Sequence, residues 1–309
     1  MYRTLNQIAE EAMRTPAGRR VVVAGGQEPH VLEAVEEARR AGLVKAPLLV
    51  GDREKMARAL TEAQLPEKEY RLFPVEDDVA CGWRAVELVQ AGEADFIMKG
   101  LINTQELLRP VVNQEKGLYT GRFISHVALD EIPPLGDSPR RLIVVTDAGM
   151  HPYPDLEEKR GILGNAVELL RRLGWERPSA AFLCGAELVA PKIPETVEAD
   201  ALAALCRSGE IPHCDGVGPI SFDLAMSREI AAIKGYPCPY SGAFDILLAP
   251  NMAAGNLMQK AMLLMGGAKM AGLLLGARVP VVLTSRGSSA EEKFASLAIA
   301  VKMLEGEGW

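Results

Sequence analysis

Residues 285–292, with the sequence SRGSSAEE, combine side chains that bind anions with side chains that can move protons. The segment joins an apolar run, VPVVLT, to a stretch with apolar residues at helical spacing. Because a helix N-terminus presents unpaired N–H groups and a partial positive charge, it binds anions. Arg286 can hold a phosphate through two hydrogen bonds, and Ser285 can donate a third. Gly287 allows a ligand close to the backbone. The segment therefore predicts an anion site at a strand-to-helix turn.

Helix capping is a competing explanation for part of this segment. Ser288 with Glu291 and Ser289 with Glu292 both have the spacing of a capping box. Only one serine can be the N-cap, so the helix needs only one of the two glutamates. If Ser288 caps the helix, Glu292 is left for chemistry. Capping does not explain an arginine at the end of a strand.

A second strand-to-helix turn lies in FIMKGLINTQELLRPVV, residues 96–112. Lys99 follows the predicted strand, and the predicted helix opens near Asn103 and Thr104. Asn103 is also a plausible N-cap, with Glu106 at the third helical position. Arg109 lies about one and a half turns beyond Thr104, and spacing alone does not fix the direction in which it points.

Several further polar residues have simpler structural explanations. His126 follows a serine in a strand-like run, and such a histidine is more often a satisfied core residue than a ligand. Asp147 ends a predicted strand, where it can orient a ligand or cap the turn. Asn251, Asn256 and Lys260 lie near a helix start, where capping is the simpler role.

Composition and motifs exclude several classes of protein. The net charge is −7 with charges of both signs interspersed, so a nucleic-acid partner is not expected. The 5 cysteines are scattered without a CxxC pair, which predicts a reducing compartment and neither a disulfide framework nor a zinc site. The chain lacks the GxGxxG fingerprint, a Walker A motif and a GxSxG elbow.

The N-terminal residues and the most apolar tracts predict a cytoplasmic protein. The sequence MYRTLNQIAEEAMRT carries acidic residues and no apolar core of signal-peptide length. The most apolar tract is interrupted by Lys269, Arg278 and Pro280, so no uncharged run reaches the roughly 18 residues that a membrane helix needs.

The hydrophobic pattern predicts an α/β fold. Short, nearly continuous apolar runs, namely RRVVVAG, KAPLLVG, YRLFPV and ADFIMKG, are typical of strands buried on both faces. Helical patterns separate them, which predicts parallel sheets covered by helices. We expect ALDEIPPLGDSPRR to be a connection or excursion at a domain junction, because it is rich in Pro, Gly and Asp. A chain of 309 residues suits two such lobes. A cleft between the lobes would be the default site.

Three stretches together resemble a known family. MKGLINTQELLRPVVNQEKGLYTGRFISHVA, DILLAPNMAAGNLMQKA and PVVLTSRGSSAEEK are similar to the phosphate acetyl/butyryl transferases, and closer to the butyryltransferase branch. The resemblance covers nearly the whole chain. It implies two doubly wound α/β lobes, isocitrate-dehydrogenase-like or phosphotransacetylase-like, with an interlobe cleft. We expect one lobe to comprise residues 1–125 and 280–309, and the other residues 126–279.

The resemblance also implies a reaction: acyl-CoA and phosphate exchange with acyl phosphate and CoA, by direct transfer in a ternary complex. No metal, covalent intermediate or tightly bound cofactor is expected, CoA being a substrate, and the protein is expected to be a homodimer or a larger homo-oligomer. Ser285 would stabilise charge on the carbonyl oxygen, Arg286 would bind the phosphoryl group, and Glu292 would take the thiol proton. The residues implied in phosphate or substrate binding are Arg109, Asn103, Thr104, Lys99, Ser125 and Asn256.

The sequence departs from the family pattern at two points that matter for function. Butyryltransferases often lack a carboxylate at the position of Glu292. The stretch DAGMHPYPD contains a His-Pro-Tyr-Pro turn where a DAAMNIAPD-like form is expected. The alternatives are a phosphate acetyltransferase, a metal- and NAD-dependent hydroxyacid dehydrogenase of the same fold, and a non-catalytic sensor of acyl phosphate or CoA.

Overall fold

The computed structural model describes residues 2–14, 18–285 and 287–305, which form two compact units. The terminal unit comprises Asn6–Ile124 and the chain from Ala271 onwards. The central unit comprises Ser125–Met270 with the N-terminal residues up to Leu5. The predicted lobes placed residues 271–279 with the central part of the chain. The difference arises at the strand ending at Leu275, which pairs antiparallel with the strand Val281–Val282 of the terminal unit.

Strands and helices alternate through most of the chain, as the hydrophobic pattern predicts. The strands are β1 (Val21–Ala24), β2 (Leu48–Gly51), β3 (Arg71–Pro74), β4 (Phe96–Lys99), β5 (Ser125–Ile132), β6 (Arg141–Thr146), β7 (Ser179–Leu183), β8 (Asp215–Ile220), β9 (Ile246–Leu248), β10 (Lys269–Leu275) and β11 (Val281–Val282). The helices are α1 (Leu5–Arg14), α2 (Pro29–Arg40), α3 (Arg53–Glu62), α4 (Asp78–Gln90), α5 (Thr104–Val112), α6 (Leu156–Arg172), α7 (Pro194–Ser208), α8 (Phe222–Met226), α9 (Arg228–Ile233), α10 (Met252–Leu264) and α11 (Ala290–Met303).

In the terminal unit the strand order is β3-β2-β1-β4-β11-β10. All neighbours pair in parallel except β10 with β11. The residues of β1, β2 and β4 are buried throughout, in agreement with their continuous apolar sequences. The expectation that β3 is buried on both faces is wrong, since its side chains are partly or fully exposed. β3 is the end strand of this order and pairs with β2.

In the central unit the strand order is β5-β6-β9-β7-β8. β5 and β6 are antiparallel, and the remaining pairs are parallel. The stretch 128–141, expected to be a connection or excursion at a domain junction, lies inside the central unit, shortly after the boundary at Ser125. Its first residues continue β5 as far as Ile132, and its Pro- and Gly-rich remainder connects β5 to β6 inside one unit. The core of this unit packs Ile143, Val145 and Phe244 of the sheet region against Leu224 of α8.

No helix formed by the described part of the chain has the length and apolar character required to cross a lipid bilayer.

Candidate active site

Three parallel strands of the terminal unit end side by side. β1 pairs with β4 up to Ala24 and Lys99, and β4 pairs with β11 through Met98 and Val282. The turns that follow these strands therefore emerge at one edge of the sheet, where α/β proteins bind ligands. Two of the predicted site segments, the turn after Lys99 and the turn that contains Ser285, are brought to this edge.

The turns after β1 and β4 are in direct backbone contact. Gly25 has a φ of +81°, and its carbonyl oxygen accepts a 2.8 Å hydrogen bond from the N–H of Leu101. A Cβ atom added to Gly100 would lie 2.3 Å from that carbonyl oxygen, which no real side chain tolerates. Below the turn, the Sγ of Cys81 accepts a 3.1 Å hydrogen bond from the N–H of Gly25. Burial raises the pKa of this thiol to about 12, so Cys81 stays neutral and supports the turn.

The residues after β4 are held in place by local bonds. Lys99 is buried, and its Nζ donates to the carbonyl of Gly100 at 3.3 Å. Asn103 is the N-cap of α5, because its Oδ1 accepts from the N–H of Gln105 at 2.9 Å. Its own N–H donates to Oδ2 of Asp78 at 2.9 Å. Thr104 is the first helical residue and is partly exposed. The capping role of Asn103 is confirmed, and its role in binding substrate stays a prediction.

Arg109 lies in the last turn of α5 with its side chain 65% exposed. Its guanidinium is 3.3 Å from the carboxylate of Glu106 one turn earlier. An exposed pair of this kind contributes little to stability. The guanidinium therefore loses little by exchanging Glu106 for a substrate anion, and phosphate binding by Arg109 stays a prediction.

Ser285 is exposed and lies three residues beyond the end of β11. Its carbonyl accepts a 3.1 Å hydrogen bond from the N–H of Ser288, and its Oγ lies 3.4 Å from the N–H of Gly287. These bonds close a tight turn that leads into α11. Arg286, predicted to bind phosphate, lies outside the described residues.

Helix α11 begins with a complete capping box. Its N-cap is Ser289, whose Oγ accepts from the N–H of Glu292 at 3.2 Å. Glu292 returns a bond, because its Oε2 accepts from the N–H of Ser289 at 2.8 Å. The alternative in which Ser288 caps the helix and leaves Glu292 outside the box is therefore wrong. The family resemblance implies that Glu292 is the general base. If so, the same carboxylate both closes the capping box and accepts the proton.

In the central unit, a second group of polar residues gathers where β6 ends. Asp147 follows β6 directly, and its side chain is 1% exposed. Its Oδ1 accepts from the N–H groups of Gly149 at 2.7 Å and of Met150 at 2.8 Å. Its Oδ2 accepts from the N–H of His126 at 3.2 Å. Three backbone donors thus fix the orientation of one buried carboxylate.

Ser125 and Asn256, both predicted to bind substrate, make bonds to protein groups in this region. Ser125 is fully buried, and its Oγ accepts from Nδ2 of Asn165 at 2.8 Å. Asn256 on α10 is partly buried, and its Nδ2 donates to the carbonyl of Ala148 at 3.0 Å. Ser125 therefore orients the start of β5, and Asn256 fastens the loop after β6 to α10. Binding of substrate by either side chain stays a prediction.

His126 is buried, as expected for a core histidine, but it is not fully satisfied. Its Nδ1 has no hydrogen-bond partner among the described residues. Burial lowers the pKa of this imidazole, and the nearby Asp147 carboxylate opposes that shift only in part. A Cβ atom on Gly149 would lie 3.2 Å from Nδ1, so the ring lies against the loop after β6. His126 is therefore a neutral imidazole inside the polar group.

The sequence interpretation assigned no role to His151, which belongs to the same loop. Its Nε2 lies 4.0 Å from Oδ2 of Asp147, and its side chain is 20% exposed. The signal available in the sequence was the unusual His-Pro-Tyr-Pro turn four residues after the aspartate. Spacing could not show that the imidazole returns to the carboxylate, because the intervening residues are not helical.

An apolar groove of about 630 Å³ lies near the ends of β7 and β9 in the central unit. One wall is formed by α10, which contributes Ala254, Met258, Ala261 and Met262. The other lining residues are Leu183, Cys184, Gly185, Phe222, Ala249 and Pro250. The groove is therefore suited to an apolar group and offers few partners to a charged one.

The dehydrogenase alternative requires a cluster of metal-binding side chains. Within the described ranges, no group of three or more His, Cys, Asp or Glu residues is arranged to hold a metal ion. Asp147 is surrounded by backbone N–H groups, which are donors and cannot be metal ligands. The donor set at this position therefore does not fit a metal.

Comparison with known proteins identifies the family. Residues 74–301 match the family model described as "Phosphate acetyl/butaryl transferase". The chain is 37% identical to the phosphate butyryltransferase of Clostridium acetobutylicum, over 97% of this chain and 98% of that protein. It is 38% identical to the phosphate acetyltransferase of Thermotoga maritima, over 92% of this chain and 94% of that protein.

A solved structure agrees with both sequence comparisons. The branched-chain phosphotransacylase from Enterococcus faecalis V583 superimposes with a TM-score of 0.78 at 33% identity, over 93% of this chain and 99% of that chain. The predicted α/β fold class and the family resemblance are confirmed by these matches. The chain belongs to the phosphate acetyl/butaryl transferase family.

Proposed function

We propose that this chain transfers a short acyl group between the thiol of CoA and inorganic phosphate, in the direction acyl-CoA and phosphate to acyl phosphate and CoA and in its reverse. The observation that carries the proposal is the Ser285 turn, which leaves β11 at the strand edge where the glycine turns after β1 and β4 meet. Membership of the family supplies the reaction class.

The predicted residues share the steps of this reaction, and Glu292, whose carboxylate also closes the capping box of α11, is proposed to take the thiol proton. Ser285 donates a hydrogen bond to the carbonyl oxygen as negative charge develops there. Arg109 and Arg286 hold the phosphate and stabilise its charge, and Lys99, Asn103 and Thr104 complete the anion site. Ser125 and Asn256 are proposed to bind substrate, as the family resemblance implies. The acyl group passes directly between the thiol and the phosphate within a ternary complex, without a covalent enzyme intermediate.

The acyl chain is proposed to contain about four carbons. Identity does not decide this point, because the chain is 37% identical to a butyryltransferase and 38% identical to an acetyltransferase. We propose that the apolar groove of the central unit receives this chain, because its walls are apolar. Gly185 lines it, and a Cβ atom added to Gly185 would have no atom within 4 Å. Gly185→Leu should therefore narrow the groove and lower the ratio of butyryl-CoA to acetyl-CoA activity, while Gly164→Leu on α6 serves as the matched control.

We also propose that the protein is a cytoplasmic homo-oligomer. The support is an apolar surface at α10 and its C-cap, where Leu257, Leu264 and Met265 are 71%, 86% and 89% exposed. Patches of this kind are usual at contacts between subunits. The molar mass in solution, measured by light scattering, tests this proposal.

The test of the function is phosphate-dependent release of CoA from acetyl-, butyryl- and isobutyryl-CoA, followed with a thiol reagent. Ser285→Ala should lower kcat by about 10²–10³-fold, the usual cost of losing a donor to an oxyanion. Ser288→Ala is the matched control, since it alters a neighbouring hydroxyl in the same turn. Absence of phosphate-dependent release by the wild-type protein would refute the proposed function.

A further inference from the structure

A cavity of about 1030 Å³ lies at the amino edge of the central sheet, the edge opposite to the loop after β6. Every residue that lines it belongs to the central unit. Arg141, the first residue of β6, and Asp245, which directly precedes β9, are among them. Because a strand rises by about 3.3 Å per residue, the length of β6 separates the cavity from the loop after β6 by roughly 20 Å. Small-molecule sites usually occupy about 300–1,000 Å³, so the cavity has room for such a ligand.

The connection between β5 and β6 forms one wall of the cavity. Residues 135–141 all line it. Leu135 and Ser138 exchange two backbone hydrogen bonds, of 3.0 and 2.9 Å, and the hydroxyl of Ser138 donates to the carbonyl of Gly242 at 2.9 Å. The wall is therefore fixed by bonds inside the central unit, and the Pro- and Gly-rich segment that the sequence left without a function shapes this cavity.

Arg141 has hydrogen-bonding capacity that the described residues leave unused. Its Nη1 donates to the carbonyl of Phe244, whereas its Nε is buried and has no partner among the described residues. Asp245 is nearby, but its Oδ1 accepts from Nε1 of Trp175 at 3.0 Å, and its Oδ2 accepts from the N–H and the hydroxyl of Ser179, both at 2.8 Å. Burial lowers the pKa of the Arg141 guanidinium, and the Asp245 carboxylate opposes that shift only in part. A partly buried cation of this kind gains from an anionic ligand.

The charges of the cavity lining limit how negative the ligand can be. The arginines of the lining are Arg3, Arg140, Arg141 and Arg228. The acidic residues of the lining are Asp137, Asp223, Glu229 and Asp245. Because positive and negative side chains are equal in number, the lining as a whole does not attract multiply charged anions. A phosphate ester carries nearly two negative charges at neutral pH, whereas a carboxylate carries one and meets less repulsion from the acidic residues.

The remaining lining offers contacts to an apolar group. Leu142 and Met226 are buried beside Arg141, and the ring of Phe222 is 40% exposed. Ile230 on α9 adds a further apolar side chain. Sites for small molecules combine such walls with a few polar groups that fix the orientation of the ligand. The lining thus suits a molecule with one charged end and an apolar body.

We propose that this cavity is a second ligand site, which binds a small organic acid of one negative charge. Arg141 holds the carboxylate, and Phe222 and Met226 contact the apolar body. The site lies at the amino edge of the central sheet, and binding there does not require the acyl-transfer reaction.

Isothermal titration calorimetry with 4-phenylbutyrate, butyrate, 4-phenylbutyramide and inorganic phosphate tests the proposal. 4-Phenylbutyrate should bind with a Kd of about 1 mM or lower, and more tightly than butyrate, because its ring adds apolar contact. The neutral amide should bind about tenfold more weakly, since it lacks the charge that Arg141 recognises.

Two variants locate the binding. Arg141→Gln should weaken the binding of 4-phenylbutyrate by about tenfold or more. Ala232→Phe, at an exposed position of α9 that lines the cavity, should weaken it by occupying the space while Arg141 stays in place. Arg58→Gln, which removes an exposed arginine of α3 outside the cavity, is the matched control and should bind as the wild type does.

Three outcomes would overturn the proposal. The first is that neither carboxylate binds to the wild-type protein, and the second is an unchanged Kd for 4-phenylbutyrate in both Arg141→Gln and Ala232→Phe. The third is binding of phosphate that is as tight as that of 4-phenylbutyrate and is lost in Arg141→Gln, which would make the cavity a general anion site. Circular dichroism shows whether each variant is folded, and if Arg141→Gln unfolds, Ala232→Phe decides the outcome.

Discussion

The carboxyl edge of the terminal unit is built from backbone, whereas the carboxyl edge of the central unit is built from side chains. In the terminal unit, Gly25 and Gly100 bring two turns together with no side chain between them. In the central unit, Asp147 organises the loop after β6 through three hydrogen bonds to its carboxylate. An added methyl group at a glycine should therefore disrupt the terminal edge. A change in the hydrogen bonds of Asp147 should disrupt the central edge.

Gly100→Ala should have the largest effect. Its new Cβ atom would lie 2.3 Å from the carbonyl oxygen of Gly25, so the turns after β1 and β4 must separate. We expect a loss of about 3 kcal/mol in the free energy of unfolding and the loss of most CoA-release activity. Urea unfolding and the CoA-release assay measure the two effects.

Gly164→Ala is the matched control for this prediction. Gly164 lies inside α6, and a Cβ atom there meets no atom within 4 Å. The substitution should stabilise the protein by about 0.5–1 kcal/mol because alanine favours the helix. Equal unfolding curves for Gly100→Ala and the wild type would show that the contact between the two turns does not require glycine at position 100.

Asp147→Asn should have the second largest effect on stability, through the hydrogen bonds that hold the loop after β6 in the central unit. The new NH₂ group would face a backbone N–H, so at least one of three hydrogen bonds is lost. We expect the free energy of unfolding to fall by about 2 kcal/mol. The loop after β6 loses part of its anchor, and urea unfolding measures the effect.

Asp52→Asn provides the control for a carboxylate that only caps a helix. Asp52 is the N-cap of α3, and its Oδ1 accepts from the N–H of Lys55 at 2.9 Å. Asparagine caps a helix nearly as well as aspartate, so stability should change by less than about 0.5 kcal/mol. A similarly small change in stability for Asp147→Asn would contradict the inference that the Asp147 carboxylate holds the loop at the carboxyl edge of the central sheet.

Part of the fold could be predicted because several of its strands are buried over their whole length. β1, β2 and β4 combine continuous apolar sequence with complete burial, and the helices between them carry the expected periodicity. β3 has the same kind of sequence but lies at the end of the strand order, a position that local sequence does not encode. The segment after Ile132 has the composition of a domain junction, yet it only connects two antiparallel strands.

The candidate site was predictable in its residue types and less so in their arrangement. Ser288 and Ser289 fit the capping box equally well by spacing, and only the backbone at the start of α11 selects Ser289. The contact between Gly25 and Gly100 joins two distant turns, and the approach of His151 to Asp147 depends on a non-helical loop. Such contacts are set by tertiary structure. The sequence pattern shows the residues involved but not that they lie close together.

The smallest effect is expected for Glu36→Gln, which tests whether any buried carboxylate behaves as Asp147 does. Glu36 on α2 is 4% exposed and accepts from Nε of Arg39 at 2.7 Å, Nε of Arg40 at 2.7 Å and the hydroxyl of Tyr70 at 2.8 Å. Burial opposes its ionisation, but these hydrogen bonds outweigh burial and lower its pKa from 4.5 to about 2. Its partners are side chains of the terminal unit that lie outside the turns after β1, β4 and β11.

Because the folded-state pKa of Glu36 lies below the unfolded value, its contribution to stability is present above about pH 4.5 and is lost as the pH falls towards 2. Glu36→Gln should therefore cost about 1.5 kcal/mol at neutral pH, flatten the acid limb of stability and leave kcat unchanged. Glu69→Gln, which removes an exposed partner of Arg39, should cost less than about 0.5 kcal/mol. Urea unfolding between pH 7 and pH 3 measures the stability of both variants. A fall in kcat for Glu36→Gln would show that side chains, and not backbone alone, determine the structure of the carboxyl edge in the terminal unit.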